Sequence, residues 1–258
     1  RFLGRIIGIL FFLPLLYFYI YGFLSRNDLS KFLGVFLLGG VQGAVGWYMV
    51  SSGLVDRVDV SQYRLALHLL IAFLILGLVV WLAMEQRGFD DAAKFEQLPK
   101  ELAQQAIILV VLVYLQVFFG ALVAGLKAGL LYNTWPLMDG AIIPKDLFVL
   151  SPWFINFFEN TATVQFTHRL TAYVLVGFGL WHTWYFLGCG ARGELRRSVL
   201  LLATVLVLQI GVGILTLVNG VPITLGSIHQ GFAAVILIIS VRHLWLVLRR
   251  MKLHAVPA

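Results

Sequence analysis

Seven long apolar blocks, separated by short polar segments, constrain the fold of this 258-residue chain more than any other feature of its sequence. A helix needs about 20 apolar residues to cross the roughly 30 Å hydrocarbon core of a bilayer, and every block is long enough. The predicted spans are residues 6–24, 31–50, 64–84, 105–126, 166–188, 198–218 and 223–247. Composition agrees, because only 12% of the residues are charged, whereas soluble domains have about 25%. The sequence therefore predicts an all-α, polytopic membrane protein.

The formal net charge of +7 arises from Lys and Arg residues that lie mostly in the short segments between the spans. Such a distribution indicates membrane topology, with lipid as the surrounding partner, rather than nucleic-acid binding. Eleven Lys and Arg residues fall on the face that includes the C-terminus and seven on the opposite face, which predicts that the C-terminus lies inside. The single cysteine, Cys189, excludes an internal disulfide, a Cys-based zinc site and a Cys-ligated iron–sulfur cluster in this chain.

Two connecting segments differ in character. Residues 127–165 form a long outer connection that is rich in Trp, Pro, Phe and Asn, which predicts a structured cap at the bilayer surface. The inner connection, residues 85–101, is charged and polar, and we expect it to be a solvated connector.

Local matches at a near-constant offset indicate an internal parallel repeat. The segment that begins at Arg1 resembles the one that begins at Arg169, 168 positions later. Gln42-Gly-Ala-Val-Gly46 resembles Gln209-Ile-Gly-Val-Gly213, 167 positions later. In each half, the span that follows this second match carries one histidine near its outer end.

The repeat predicts two pseudo-symmetric four-helix bundles, with seven of the eight transmembrane helices in this chain. The first helix of the N-terminal bundle is expected upstream of Arg1, and a histidine is expected directly before Arg1, opposite His168 of the second half. The predicted divisions are residues 1–84, an inner connector at 85–104, and residues 105–258.

Histidines inside spans are the candidate metal ligands, because ionisable side chains in a membrane are costly and mark functional sites. His168 and His229 lie near the outer ends of two spans that enter from the same face. Two facing imidazoles without a nearby cysteine or carboxylate suit axial ligation of heme iron better than zinc. His68 occupies the place of His229 in the first half, so we expect it to ligate a second heme.

Arginines cluster on the outer side, where they could pair with heme propionates. The candidates are Arg1, Arg5, Arg64 and Arg169. The alternative is that these side chains snorkel to the membrane surface.

A different heme arrangement has to be weighed for the inner side. His182 lies 14 residues after His168, and His243 lies 14 after His229, which is nearly a whole number of helical turns. These spacings would suit the stacked hemes of a transmembrane electron-carrying cytochrome. Because aromatic and basic residues surround both histidines in sequence, we interpret them as interfacial side chains, and a stacked arrangement also leaves His68 unexplained.

The chain resembles the heme A synthase family, the membrane enzymes that convert heme O to heme A for cytochrome oxidase. The resemblance covers essentially the whole chain and looks most like the branch found in alphaproteobacteria and mitochondria. A cysteine pair that some bacterial members carry in an outer loop is absent. The matching segments are Gly43–Leu54, Val60–His68, Gly120–Gly129, Tyr132–Gly140, Phe158–Asn160 and Val164–Arg169.

The resemblance implies a heme b cofactor in the C-terminal half, held by His168 and His229 with Arg169 nearby. It implies that the N-terminal half receives heme O at His68, the catalytic candidate, together with a histidine upstream of Arg1. A glutamate three residues before that histidine belongs to the family's site, whereas Gln165 stands three before His168. Arg1, Arg5 and Arg64 would then contact the substrate heme.

The implied reaction is oxidation of a methyl group of heme O to a formyl group by successive hydroxylations, after which the hydrated aldehyde loses water. The implied setting is a bacterial inner membrane or, alternatively, the mitochondrial inner membrane. The expected partners are an electron donor, heme O synthase, cytochrome oxidase assembly factors and a second copy of the chain in a homo-oligomer. The alternative functions are a dihaem b-type electron-transfer cytochrome and a non-catalytic heme transporter or assembly factor.

Overall fold

The computed structural model describes residues 2–51, 60–87 and 99–254, and within these ranges the secondary structure is helical, without a β-strand. These ranges contain seven long α-helices and one short one. In chain order they are α1 (Phe2–Ile20), α2 (Arg26–Ser51), α3 (Gln62–Gln86), α4 (Lys100–Gly125), α5 (Asn156–Glu159), α6 (Thr161–Gly188), α7 (Gly193–Val218) and α8 (Ile223–His254). The predicted all-α fold class is confirmed.

Five of the helices, α2, α3, α4, α7 and α8, are long and apolar enough to cross a membrane. α1 contributes a shorter apolar stretch, Gly4–Ile20. α6 has 28 residues, but buried polar side chains such as Gln165 and His182 make it less apolar. The chain is therefore a multi-pass helical membrane protein, while the division into residues 1–84, 85–104 and 105–258 stays a prediction.

α4 begins five residues before the span predicted from residue 105. α4 begins at Lys100, so the last part of the predicted connector 85–104 is helical. Pro99 precedes the helix in an extended conformation, and Glu101 lies in the first turn, where its charge interacts favourably with the helix dipole. The apolar blocks alone do not reveal this polar first turn. Residues 88–98 of the connector lie outside the described residues.

α4 and α8 form the centre of the bundle. α4 packs against α3, α6 and α8, and α8 packs against α3, α4 and α7. The main hydrophobic core includes Leu109, Leu202, Leu206 and Leu237, which are almost fully buried. α1 packs mainly against α2, and most side chains of both helices are exposed. The tightest packing thus surrounds α4, α6, α7 and α8.

The outer segment between α4 and α6 is an ordered cap, as predicted. It contains short 3₁₀ turns at Ala128–Leu130 and Trp153–Ile155, followed by α5. The buried side chain of Asn156 organises its second half: its Nδ2 donates to the carbonyls of Leu150 and Trp153, each at 2.8 Å. Because a buried amide is fully satisfied there, this part of the cap has one defined conformation.

The cap is also fixed to the start of α6. Asn160 is the N-cap residue, and its Oδ1 accepts a hydrogen bond of 2.9 Å from the backbone N–H of Thr163. Its Nδ2 donates to the carbonyl of Asp146 at 3.0 Å. The hydroxyl of Tyr132 donates to the Asp146 carboxylate at 2.7 Å, and this bond, aided by burial, raises the pKa of Tyr132. The cap therefore positions the helix end that carries His168.

Candidate functional site

His168 and His229 line a single cavity of about 780 Å³. α6 and α8 contribute the two histidines, and α4 and α7 contribute further walls together with part of α3. The lining is mainly apolar, as is usual for small-molecule and cofactor sites of roughly 300–1,000 Å³. The two histidines that the sequence pairs therefore face the same buried space.

Each of the three predicted ligand histidines packs against a glutamine and a glycine four residues apart on another helix. At His68, Nε2 of Gln42 donates to the histidine carbonyl at 3.0 Å and lies 3.3 Å from the ring Nε2. A Cβ atom placed on Gly46 would lie 3.0 Å from His68 Cε1. The glycine therefore makes room for the imidazole, and the glutamine holds the backbone behind it.

The C-terminal histidines repeat this arrangement. Nε2 of Gln209 donates to the carbonyl of His229 at 3.1 Å, and a Cβ on Gly213 would lie 2.9 Å from His229 Cε1.

At His168 the corresponding residues are Gln116, whose Nε2 donates to the histidine carbonyl at 3.2 Å, and Gly120, whose added Cβ would lie 3.2 Å from Cε1. The internal repeat in the sequence had matched only the pairs at His68 and His229. Gln116 was missed, although the same spacing in Gln116-Val-Phe-Phe-Gly120 was a readable signal.

Several buried polar atoms at these sites have no protein partner. Within the described ranges, Nδ1 of His68 and Nδ1 of His229 are buried without a hydrogen-bond partner, and so are the Oε1 atoms of Gln42 and Gln209. An unsatisfied buried polar atom costs about 1–3 kcal/mol, so native proteins keep few of them. His229, which the described residues do not fully satisfy and which lines a cavity of this size, fits the axial ligation of a heme.

The predicted arginines have different surroundings. Both terminal nitrogens of Arg169 donate to cap carbonyls, NH1 to Thr134 at 3.0 Å and NH2 to Tyr132 at 2.9 Å, whereas its buried Nε has no partner in the described structure. Arg64 lies over the ring of Tyr48, 4.1 Å from the centroid. Arg5 is exposed, and Arg1 lies outside the described residues. Among the three that the structure describes, Arg169 is the arginine that lines the cavity.

The interfacial interpretation of His182 and His243 is wrong. Their exposed fractions are 0% and 1%, because both rings point into the bundle while the neighbouring Trp184 is 71% exposed on another face of α6. The two Nε2 atoms lie 3.0 Å apart. Nδ1 of His182 donates to Oε1 of Gln105 at 2.8 Å, and Nδ1 of His243 lies 3.2 Å from the hydroxyl of Ser198.

The same geometry argues against a stacked inner heme. An iron between two axial imidazoles needs a nitrogen of each ring directed at it, whereas the inner rings bond to each other and to Gln105 and Ser198. The inner histidines therefore form a satisfied polar network that joins α4, α6, α7 and α8. The sequence spacing that suggested a second heme plane instead reflects this network.

A further contact links the cap to the N-terminal part of the chain. The carboxylate of Glu159 in α5 accepts hydrogen bonds from Gln62 Nε2 at 3.0 Å and from the Tyr63 hydroxyl at 2.5 Å. Gln62 and Tyr63 begin α3, the helix that carries His68. Close packing of Gly125 against Gln62, where a Cβ would collide with backbone, supports the same contact. The outer ends of the two candidate sites are thus mechanically connected.

Together, the fold and the site define a class: polytopic helical membrane proteins with outer histidines arranged around a buried cavity. Residues 1–241 match the family described as cytochrome oxidase assembly protein, and the chain belongs to this family. It is 48% identical over 244 residues to a Heme A synthase of Rhizobium meliloti (strain 1021), covering 94% of this chain and 65% of that protein.

Two further relatives show the same relationship. A Heme A synthase of Agrobacterium fabrum is 47% identical over 248 residues, covering 94% of this chain and 66% of the relative. One of Parvibaculum lavamentivorans is 44% identical over 243 residues, covering 94% and 68%. The family resemblance found in the sequence is therefore confirmed, in its alphaproteobacterial branch. The chain spans about two thirds of the length of these curated relatives.

Proposed function

We propose that the protein is a heme A synthase, which oxidises a methyl substituent of heme O to a formyl group and so provides heme A for cytochrome c oxidase. Family membership and the names of the relatives support this activity. The structural observation that carries it is the repeated histidine site, in which a glutamine and a glycine pack against each outer histidine, and of which His168 and His229 face one shared cavity.

In the C-terminal half, the proposed cofactor is heme b, with His168 and His229 as axial ligands. The shared cavity and the unpartnered ring nitrogen of His229 support this assignment. Arg169 is the proposed partner of a propionate, because its Nε is buried beside the cavity without a partner among the described residues. When bound, heme b would supply one-electron redox chemistry at its iron.

In the N-terminal half, the proposed substrate is heme O, with His68 as the ligand that positions it. Arg64 and Arg5 are the proposed propionate partners, together with Arg1. Side chains cannot attack a methyl C–H bond by acid–base chemistry, so their task is to bind and orient the substrate and to exclude water. Gln42 and Gly46 perform the orienting part at His68 by holding its backbone and leaving space for its ring.

The proposed setting is the inner membrane of a bacterium, with the C-terminus inside. The bacterial sources of the relatives and the excess of Lys and Arg on the C-terminal face support it. The proposed partners are an electron donor, heme O synthase and assembly factors of cytochrome oxidase, and homo-oligomerisation is part of the same proposal.

The test is production of heme A in cells that make heme O but lack their own heme A synthase. The full-length protein is expressed, and total heme is extracted and separated by chromatography. We expect formyl-bearing heme with the unsubstituted protein. His68→Ala should abolish it while heme b stays bound, and His168→Ala or His229→Ala should remove heme b.

Other outcomes identify the alternatives. Bound but unmodified heme O, with no heme A formed, would show a transporter or assembly factor instead of an enzyme. Loss of a heme from His182→Ala, with the outer hemes retained, would restore the electron-carrier interpretation. Retention of heme b in both His168→Ala and His229→Ala would refute the proposed cofactor site.

A further inference from the structure

The side-chain amide of Gln116 is held at both ends, unlike the amides that face the other two outer histidines. Its Oε1 accepts a hydrogen bond of 2.5 Å from the hydroxyl of Thr171. Its Nε2 donates to the carbonyl of His168 and lies 3.1 Å from the ring Nδ1 and 3.4 Å from the ring Nε2. The corresponding Oε1 atoms of Gln42 and Gln209 are buried without a partner in the described part of the chain.

The sequence accounts for this difference. Thr171 lies three residues after His168, which places both side chains on the same face of α6. The residues three positions after His68 and His229 are Ile71 and Phe232, which have no hydroxyl. The threonine therefore distinguishes the His168 site from the other two.

A hydroxyl group carries one hydrogen to donate, and the Thr171 hydroxyl donates it to Oε1 of Gln116. The hydroxyl oxygen also lies 2.9 Å from the carbonyl of Thr167, which keeps it near this turn of α6. With Oε1 fixed as the acceptor, Nε2 of Gln116 must face His168, where it donates to the backbone carbonyl.

A histidine that ligates iron has to hold its ring at a defined place and angle, and groups outside the ligand shell provide this. Gln116 holds the backbone of His168 through its carbonyl, and Thr171 prevents the Gln116 amide from turning. Among the described residues, the Oε1 atoms of Gln42 and Gln209 have no such partner, so these two amides are held at one end only.

We propose that Gln116, supported by Thr171, is a positioning residue that holds His168 in place as a permanent ligand of the cofactor heme. The inference rests on the proposed heme b site at His168 and His229, and it deepens that site by naming what holds one ligand. It also points to an asymmetry between the halves: the cofactor has one ligand whose glutamine is fixed at both ends, whereas the glutamine beside His68, which handles a heme that must arrive and leave, is held at one end among the described residues.

The test uses the full-length protein purified with its heme. Gln116→Leu removes the amide that donates to the His168 carbonyl, Thr171→Val removes the hydroxyl with little change of shape, and Thr171→Ser retains it. Thr204→Val is the matched control, because the exposed Thr204 bonds through its hydroxyl only to the carbonyl of Leu200 in its own helix. The readouts are heme b per protein, the absorption spectrum of the heme and its reduction potential.

We expect Gln116→Leu to weaken heme b binding about 10–100-fold, the usual effect of losing the partner of a metal-bound histidine. Thr171→Val should shift the reduction potential and lower heme content less strongly, Thr171→Ser should restore both, and Thr204→Val should match the unsubstituted protein. A merely structural role would lower the yield of folded protein but leave the potential and spectrum of the remaining heme unchanged, which would overturn the proposal.

The failure of this inference is distinguishable from failure of the proposed function. If Gln116→Leu and Thr171→Val keep the heme content, spectrum and potential of the unsubstituted protein, the positioning role is wrong and the cofactor site stands. If the unsubstituted protein carries no heme b, or if His168→Ala retains it unchanged, the cofactor site is wrong and the positioning role falls with it.

Discussion

Gly213→Ala tests whether the glycine opposite His229 provides the space for the imidazole. A Cβ atom at position 213 would lie 2.9 Å from Cε1 of His229, whereas ordinary contacts begin at 3.4 Å, so the ring must move by about 0.5 Å. Overpacking of this kind costs about 1–3 kcal/mol. If this free energy is lost from the heme-bound position of the His229 ring, heme b binding weakens about 5–150-fold.

The matched control is Gly211→Ala, two residues earlier in α7, where an added Cβ meets nothing within 4 Å. Alanine is a better helix former than glycine by about 1 kcal/mol, so this control should be at least as stable to heat as the unsubstituted protein and keep its heme. Gly46→Ala and Gly43→Ala form the same pair beside His68. The Cβ added at position 46 would lie 3.0 Å from the His68 ring, whereas the one added at position 43 meets nothing within 4 Å.

The assay is heme b content per purified protein, combined with the thermal unfolding temperature in detergent. Gly213→Ala should lose heme while Gly211→Ala does not. Equal heme content and equal unfolding temperatures in the two variants would refute the spatial argument, because they would show that the ring of His229 adjusts without cost.

Three further predictions concern the inner network and the cap. His243→Leu leaves the His182 ring without its Nε2 partner, which should lower the free energy of unfolding by about 1–3 kcal/mol, measured by denaturant or thermal unfolding, without changing the heme spectrum. Asn160→Ala removes the N-cap of α6, which should cost about 1 kcal/mol; an unchanged unfolding temperature would contradict this. The hydrogen bond to Asp146 raises the pKa of Tyr132 above its usual value near 10. The stabilisation of the cap should therefore be complete below about pH 10 and decline as the pH rises through the raised pKa. Protease resistance of the cap measures this decline, and Tyr132→Phe should remove its dependence on alkaline pH.

The apolar pattern was enough to place the long helices, since each predicted span falls largely within an observed helix. The ends were less predictable because polar residues decide them. α6 begins at Thr161, five residues before the predicted span, because Asn160 caps it and the cap segment covers its first turn. A hydropathy scan counts those polar residues against a helix, although they are satisfied by partners that only the fold supplies.

The candidate site shows the same division between local and distant information. His168 and His229 were identified from their type, depth and repeat offset, which are all local. The burial of His182 depends on Gln105, which lies 77 residues away in the chain, and on His243, which lies 61 residues away. Aromatic neighbours in the sequence were a poor guide there, because successive helical residues point in different directions.

The inner network of Gln105, His182, His243 and Ser198 has a consequence for how the protein is assembled in the membrane. With the amide oxygen of Gln105 as acceptor, each later hydrogen bond has a fixed direction: His243 donates to His182, and Ser198 donates to His243. The four residues come from four different helices, so loss of α4 or α7 leaves an imidazole nitrogen without its partner, and loss of α6 or α8 separates the two histidines. The chain of hydrogen bonds is therefore complete only when all four helices have inserted, and until then a polar group stays unsatisfied in lipid.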